Sequence, residues 1–272
     1  MELKKLQLSS LELGYYESSG TGSPIMLIHG NSASGLTYQH QINSSLGEKH
    51  RVVAIDLPGH GDSQAFAKMS EYGIPGYANV VVEAAKALGM EDGIFVGWSL
   101  GGHVVLEAHN QLPNAKGFVI FGTPPLAFPP AMEEAYLPNP AMGVGFSPEV
   151  TEEQAQAYTD AFFVPGVTAP KEPFITDVLR TDGNARAGLA ASITPDGYQD
   201  EVEIVGNLSI PLAIFHGKEE QLVNLTYINK LTMPTLWRNE VQVIVAAGHA
   251  SHWEQAEEFN GLLEEFIVEV AQ

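Results

Sequence analysis

Short apolar runs recur along the chain and predict the strands of a sheet. Short, mostly apolar runs bounded by turn residues are typical of strands buried on both faces of a parallel sheet. They lie at 25–28, 51–55, 94–96, 117–121, 212–215 and 241–245. Upstream, alternating leucines predict an opening strand or hairpin at the sheet edge. These leucines are Leu6, Leu8, Leu11 and Leu13.

Helix-like stretches separate or follow several of these runs. They lie at 77–88, 100–111 and 254–270. Alternation of strand and helix is typical of a doubly wound core with a mostly parallel sheet. The sequence therefore predicts the α/β class.

The interval 123–205 interrupts this alternation. It is rich in proline at its start and then carries helix-like pieces at 152–163 and 173–179. Its many aromatic and aliphatic side chains need burial, and a substrate pocket would supply part of that burial. We therefore expect a helical cap inserted after the sixth strand, over a core formed by 1–122 and 206–272.

The composition favours a strongly hydrated surface. The 272 residues include 33 acidic and 13 basic side chains, for a formal net charge of −20. Such a surface repels nucleic-acid phosphates and anionic lipid, so neither a nucleic acid nor a membrane is expected as a partner. The chain has no cysteine, which excludes disulfides, thiolate metal sites and cysteine nucleophiles.

The sequence also predicts a cytoplasmic protein without a metal or cofactor. The first residues do not form the apolar run of a secretory signal, and no apolar stretch approaches the roughly 20 residues needed to cross a bilayer. The ligand run of dinuclear-zinc hydrolases, His-x-His-x-Asp-His, is lacking. The sequence assigns no oligomeric state.

A nucleophile-elbow pattern, Gly97-Trp98-Ser99-Leu100-Gly101, follows the apolar run at 94–96. It also opens the helical stretch at 100–111, so it has the strand–turn–helix context that the pattern requires. Glycines on both sides remove Cβ clashes in so tight a turn. The helix N-terminus favours developing negative charge. Ser99 is therefore the predicted nucleophile.

The predicted base follows the last apolar run. His249 lies between the run at 241–245 and the final helix, where an imidazole can reach Ser99 at the carboxyl edge of the sheet. His252 competes for this role. Because Gly248 gives the loop freedom and His252 is expected to start the helix, His249 is favoured.

The predicted acid follows the run at 212–215, where Glu219 and Glu220 are adjacent. The spacing from Gly217 favours Glu220. A buried carboxylate there would hold the tautomer of the His249 ring and stabilise its protonated form.

Two backbone N–H groups are expected to bind a developing oxyanion. One belongs to Leu100, directly after the nucleophile, and the other to Asn31, whose side-chain amide could also reach a substrate. His29 is expected to be structural, packed beneath the loop that carries Asn31. The other histidines are expected to make turn hydrogen bonds (His60), to pack in the core (His103), to close a strand (His216) or to lie at the surface (His40, His50 and His109).

Together these motifs resemble the α/β-hydrolase superfamily over nearly the whole core, and more narrowly its N-acyl-homoserine lactone lactonases. The chain order Ser, acid, His is also that of the superfamily. The likeness is carried by Ile28-His29-Gly30-Asn31-Ser32, by 56–63, by 97–103, by Gly122-Thr123-Pro124-Pro125, by Arg180-Thr181-Asp182-Gly183, by Glu220 and by Gly248-His249. Gln221 departs from it, at a position where proline is frequent, and Glu219 adds a second carboxylate.

The resemblance implies an α/β-hydrolase fold and a serine hydrolase that opens the lactone ring and ends a quorum signal. It also implies that Gly30, Trp98, Tyr158 and Phe162 contact the substrate, with Tyr158 donating to its head group and the apolar side chains lining an acyl pocket. Tyr158 could equally be an ordinary residue of an amphipathic cap helix.

Two alternatives remain open from the sequence. A general carboxylesterase for small apolar acyl esters would use the same residues, and haloperoxidase-like side activity is compatible with them. A ligand receptor on this fold could also retain Ser99, Glu220 and His249 with very slow turnover. Dehalogenases and epoxide hydrolases of the fold use an Asp nucleophile, whereas this elbow carries Ser.

Overall fold

The apolar runs form one sheet in the computed structural model, which describes residues 1–167 and 170–270. Its strands are β1 (Lys4–Gln7), β2 (Glu12–Glu17), β3 (Pro24–Ile28), β4 (Arg51–Ile55), β5 (Ile94–Trp98), β6 (Gly117–Phe121), β7 (Leu212–Gly217) and β8 (Gln242–Ile244). They are ordered β1-β2-β4-β3-β5-β6-β7-β8. β1 and β2 form an antiparallel hairpin at one edge of the sheet, and β2 pairs antiparallel with β4. The six strands from β3 to β8 run parallel to one another. The α/β-hydrolase fold is thereby confirmed.

Helices cover this sheet and form the cap. In the described part of the chain they are α1 (Gln39–Ile42), α2 (Ser45–Lys49), α3 (Ile74–Leu88), α4 (Leu100–Ala108), α5 (Met132–Ala135), α6 (Glu152–Asp160), α7 (Glu172–Arg180), α8 (Gly183–Ser192), α9 (Glu201–Asn207), α10 (Leu225–Ile228), α11 (Ser251–Glu254) and α12 (Ala256–Val270). In the core, α3 contacts α4, whereas α1, α11 and α12 contact one another. These two groups are the helix layers of the doubly wound sheet.

Local signals account for the ends of α3. Pro75 lies in its first turn, where the missing N–H costs no hydrogen bond. Gly89 ends it in the left-handed conformation with φ 63°, which glycine adopts without a Cβ penalty. The buried face includes Tyr77, Val81 and Ala85, so the helix lies flat on the core.

The helical cap follows the sixth strand, as predicted, and includes α5 to α8. Its apolar residues are buried as expected: Phe163 and Phe174 have no exposed surface. A 3-10 helix, Pro140–Phe146, runs between α5 and α6 and contacts α6 and α8. The predicted boundary at residue 205 falls inside α9, and the division into core and cap domains stays a prediction.

One histidine prediction is wrong. His50, expected at the surface, is only 4% exposed. Its Nε2 lies 2.7 Å from a carboxylate oxygen of Glu264 on α12. The partner is distant in sequence, so no local pattern around His50 indicates it.

Over the residues that the structure describes, no helix is both long and apolar enough to cross a bilayer.

Candidate active site

Ser99 occupies the sharp turn between β5 and α4. Its backbone has φ 52° and ψ −116°, a conformation that residues other than glycine rarely adopt. Its N–H donates to the carbonyl of Phe121 over 2.8 Å, and its own carbonyl accepts from the Thr123 hydroxyl over 2.8 Å. These bonds to the end of β6 hold the strained turn in place.

The two glycines of the elbow are required by close packing. A Cβ on Gly97 would overlap the backbone of Gly101, and a Cβ on Gly101 would overlap the carbonyl of Ile28 on β3. Glycine is therefore the residue that lets α4 start directly against the sheet.

His249 and Glu220 lie beside each other at the same edge of the sheet. His249 Nδ1 is 2.9 Å from Glu220 Oε2, and both side chains are almost completely buried. The other oxygen of Glu220 accepts the N–H of Leu222 over 2.8 Å. Burial alone would raise the pKa of Glu220, but the His249 ring with its hydrogen bond, the nearby His216 and the Leu222 N–H together outweigh burial and hold that pKa below its usual value. The carboxylate is thus fixed on Nδ1.

The structure places the competing acid and base elsewhere. Glu219 accepts the N–H of Ala247 over 3.1 Å, so it ties down the loop before His249. His252 is fully buried, with its ring against Tyr38, Trp98 and Phe121. Neither of its ring nitrogens has a hydrogen-bond partner in the described structure, and burial holds its pKa well below the usual value.

Ser99 and His249 line the same cavity. Because Glu220 occupies Nδ1, Nε2 is the ring nitrogen available to the serine. The loop that carries His249 is held from beneath, since Trp98 Nε1 donates to the His249 carbonyl over 2.9 Å. Gly122 leaves room for the ring, because a Cβ there would lie 2.7 Å from His249 Cε1.

The candidate oxyanion groups flank Ser99. Leu100 is the first residue of α4, where an N–H has no partner within the helix. Asn31 also lines the cavity, but its side-chain amide donates to the carbonyl of Gly145 in the cap over 2.6 Å. The Asn31 side-chain amide therefore links the core to the cap through a hydrogen bond.

His29 lies beneath this loop, as expected. Its Nδ1 bonds the carbonyl of Gly30 over 2.7 Å, and its Nε2 accepts the N–H of Leu57 over 2.9 Å. Burial holds the pKa of the ring well below its usual value. A neutral ring with both nitrogens occupied is a structural element.

The cavity is mainly apolar and lies between core and cap. Its apolar walls include Ile74, Leu126, Met132, Met142, Phe146 and Leu189. The hydroxyl of Tyr158 reaches it near the amide of Asn31, since both would contact a Cβ built on Gly145. Within the described residues this hydroxyl has no hydrogen-bond partner in the protein, and burial raises its pKa, so it can donate to a bound molecule.

Three of the predicted substrate-binding residues are not among the described residues that line the cavity, and their contact with substrate stays a prediction. Trp98 and Phe162 are 1% and 2% exposed and pack edge-to-face against each other. Neither side chain is among those that line the cavity. Gly30 lies against Trp98 and the Cβ of Ser99. These residues therefore pack around Ser99 and His249.

Sequence reasoning missed a second polar group in the cavity. His103, expected to be an ordinary core residue, lines the cavity together with Tyr136. Its Nδ1 bonds Glu201, which lies 98 positions later in the chain. Polar spacing along α4 gives no sign of that carboxylate, so only the fold reveals the group.

Comparisons with known proteins bear on the family and the fold. The family model described as alpha/beta hydrolase family matches residues 25–262. Among solved structures, the N-acyl homoserine lactonase AidH complexed with N-butanoyl homoserine has a TM-score of 0.94 and 32% identity, covering 100% of this chain and 98% of that chain. A mutant of AidH complexed with N-hexanoyl homoserine lactone also gives 0.94, at 31% identity, covering 99% and 98%.

Two curated relatives carry other activities in their names. A pimeloyl-[acyl-carrier protein] methyl ester esterase of Xylella fastidiosa is 25% identical over 93% of this chain and 98% of its own length. A non-heme haloperoxidase of Rhodococcus erythropolis is 26% identical over 93% of this chain and 95% of its own length. The fold, the elbow and the family match lead to one conclusion: this chain is a hydrolase enzyme that belongs to the alpha/beta hydrolase family.

Proposed function

We propose that the protein is a serine hydrolase that opens the lactone ring of N-acyl-homoserine lactones. Ser99 is the nucleophile, His249 the base and Glu220 the acid that orients it. The observation that carries the proposal is the mainly apolar cavity between core and cap, which Ser99, His249 and Tyr158 line together. The full-length likeness to AidH, cap included, supports the same substrate class.

The chemistry begins with attack of Ser99 Oγ on the lactone carbonyl carbon while His249 Nε2 takes the hydroxyl proton. Glu220 accepts the Nδ1 proton in a hydrogen bond and stabilises the charged ring. The backbone N–H groups of Asn31 and Leu100 bind the oxyanion of the tetrahedral intermediate.

Collapse of that intermediate breaks the bond between the carbonyl carbon and the ring oxygen. The ring oxygen takes the proton from His249 and stays attached through the acyl group, so the opened molecule remains bound as an ester of Ser99. Water, deprotonated by His249, then attacks this ester, and the proton returns to Ser99 Oγ. The product is an N-acyl-homoserine.

Substrate binding divides between polar and apolar parts of the cavity. Tyr158 donates a hydrogen bond to the lactone head group, and the apolar walls accept the acyl chain. Trp98 and Phe162 support Ser99 and His249 from behind, and Gly30 lets the loop of Asn31 approach the nucleophile. We assign 123–205 as the cap domain and the flanking segments, 1–122 and 206–272, as the core.

The direct test is incubation with N-hexanoyl homoserine lactone, with ring opening followed by proton release and by the mass of the product. Wild type should open the ring over many turnovers, and Ser99→Ala should lower kcat at least about 10³-fold. A fluorophosphonate should label wild type at Ser99. Equal rates for wild type and Ser99→Ala would contradict the assignment of the nucleophile.

A general carboxylesterase is the second candidate, favoured by the esterase relative. It would cleave p-nitrophenyl butyrate and leave the lactone closed. Labelling of Ser99 with no turnover of either substrate would instead indicate a ligand receptor.

A further inference from the structure

A second histidine–carboxylate pair lies in the wall of the cavity. His103 Nδ1 is 2.8 Å and 2.9 Å from the two carboxylate oxygens of Glu201, which is completely buried on α9. On the other side of the ring, His103 Nε2 is 3.2 Å from the hydroxyl of Tyr136. Both His103 and Tyr136 line the cavity.

The carboxylate fixes the direction of this chain of hydrogen bonds. One oxygen of Glu201 also accepts the N–H of Leu126 over 2.8 Å. In the neutral ring, a carboxylate beside Nδ1 keeps the ring proton on that nitrogen, so Nε2 carries a lone pair and accepts the O–H of Tyr136. The hydroxyl proton of Tyr136 is thereby occupied, and its oxygen lone pairs are left for a group inside the cavity.

The pair lies close to the nucleophile. The backbone N–H of His103 donates to the backbone carbonyl of Ser99 over 3.4 Å, so the two residues are one helical turn apart at the start of α4. Ser99, His103 and Tyr136 line one cavity, so we expect a substrate group near Tyr136 to belong to the part of the substrate next to the scissile bond.

We propose that the Tyr136 oxygen accepts a hydrogen bond from the substrate, and that His103 and Glu201 are positioning residues that keep it an acceptor. The subsite thus selects acyl compounds that carry an N–H or O–H close to the scissile carbonyl. This assignment rests on the proposed function for one detail: in an N-acyl-homoserine lactone the only such donor is the amide N–H. The subsite then separates acylamino lactones from plain lactones and oxygen esters.

The test compares N-hexanoyl homoserine lactone with α-hexanoyloxy-γ-butyrolactone, in which oxygen replaces the N–H. Wild type should prefer the amide, and Tyr136→Phe should reduce the ratio of the two kcat/KM values about three- to tenfold, the usual effect of one hydrogen bond. A purely structural role for Tyr136 would lower both rates in parallel and leave the ratio as it is, which would overturn the proposal.

Tyr198→Phe is the matched control. Tyr198 also lines the cavity, but its hydroxyl donates to the carbonyl of Ala127. This variant loses a hydroxyl from the same cavity and should retain the wild-type ratio. His103→Asn tests the positioning role: it should reduce the ratio as Tyr136→Phe does, and an unchanged ratio in this variant would overturn that role. Thermal melting checks that each variant is folded.

A second pair of substrates separates this inference from the lactonase assignment. p-Nitrophenyl N-butanoylglycinate carries an N–H beside its carbonyl, whereas p-nitrophenyl butanoyloxyacetate has oxygen there. If wild type opens neither lactone but prefers the glycinate, and Tyr136→Phe removes that preference, the lactonase proposal fails and the subsite stands. If wild type opens the lactones without preference between amide and oxygen, the subsite fails and the lactonase proposal stands.

Discussion

Glu219 and Glu220 are neighbours in the chain, yet their carboxylates meet different partners. Glu220 turns inward to the His249 ring at 2.9 Å, whereas Glu219 accepts a backbone N–H from the loop in front of that ring. The difference follows from the turn at the end of β7, where the Glu220 N–H donates to the Gly217 carbonyl, and this turn leaves Glu219 half-buried and Glu220 buried.

Replacement of each glutamate by glutamine separates the two roles. Glu220→Gln keeps the size of the side chain but removes the charge that stabilises a protonated His249, so kcat for p-nitrophenyl butyrate should fall about 10³- to 10⁴-fold. Glu219→Gln retains an oxygen for the N–H of Ala247 and should stay within about twofold of wild type. A larger loss for Glu219→Gln than for Glu220→Gln would mean that the acid is misassigned.

For single residues, the sequence alone indicates those that belong to a local motif. It does not indicate pairs that only the fold brings together. Ser99 and His249 follow from local spacing after a strand. The pairing of His103 with Glu201, and of His50 with Glu264, joins positions far apart in the chain. Trp98 and Phe162 pack against each other, and Trp98 also contacts β6, α7 and α11. The hydrophobicity of these residues alone does not specify that packing.

At the scale of elements, the turn between β5 and α4 depends on the absence of side chains at two positions. The carbonyl of Ile28 occupies the space where a Cβ on Gly101 would lie. That carbonyl belongs to the central strand β3 and is held by the sheet, so it cannot move away at low cost.

Gly101→Ala should therefore destabilise the protein by more than about 2 kcal/mol or prevent folding, because an added atom in a packed region forces backbone shifts. Gly261→Ala is the matched control. Gly261 is exposed within α12, with nothing near a Cβ, so this variant should gain about 0.5–1 kcal/mol from helix propensity. Urea unfolding of both variants measures the difference, and equal stability would contradict the packing argument.

The elements themselves were predictable where burial is symmetric. β4 and β6 have the predicted bounds, 51–55 and 117–121, because a strand covered on both faces is apolar along its buried length; only Arg51, at the half-buried start of β4, is charged. The predicted helix at 254–270 corresponds to α12, which begins at Ala256, and a separate short helix, α11, precedes it. α8 is rich in alanine and glycine and carries little periodic signal, so its sequence does not indicate a helix before the cap is assembled.

At the scale of the whole molecule, several histidine side chains are buried in the folded protein. His60 is 1% exposed, and its Nδ1 bonds the carbonyl of Pro58 over 3.0 Å. Burial lowers the pKa of His60 from 6.5 to about 4. Between these two values the unfolded chain binds a proton that the folded protein does not, so this residue makes stability fall as the pH falls from about 6.5 towards 4.

His60→Asn should flatten this dependence, since its amide can still donate to Pro58 but binds no proton. The slope of the unfolding free energy against pH in this window should decrease by about 1 kcal/mol per pH unit. His109→Asn is the control, because the partly exposed His109 ring also bonds a backbone carbonyl, that of Leu106. Urea titrations at pH 7 to 5 compare the three proteins. A wild-type slope in His60→Asn would show that His60 is protonated in the folded state.

The bond from the Asn31 side chain to Gly145 joins the core loop beside Ser99 to the 3-10 helix of the cap. If that helix lifts away, the same residue whose backbone is expected to hold the oxyanion loses its anchor. Binding and rate enhancement are then not independent properties of this enzyme. A substrate so bulky that it breaks the bond between Asn31 and Gly145 would still bind but would react slowly. We therefore expect an increase in substrate size to lower kcat before it weakens binding.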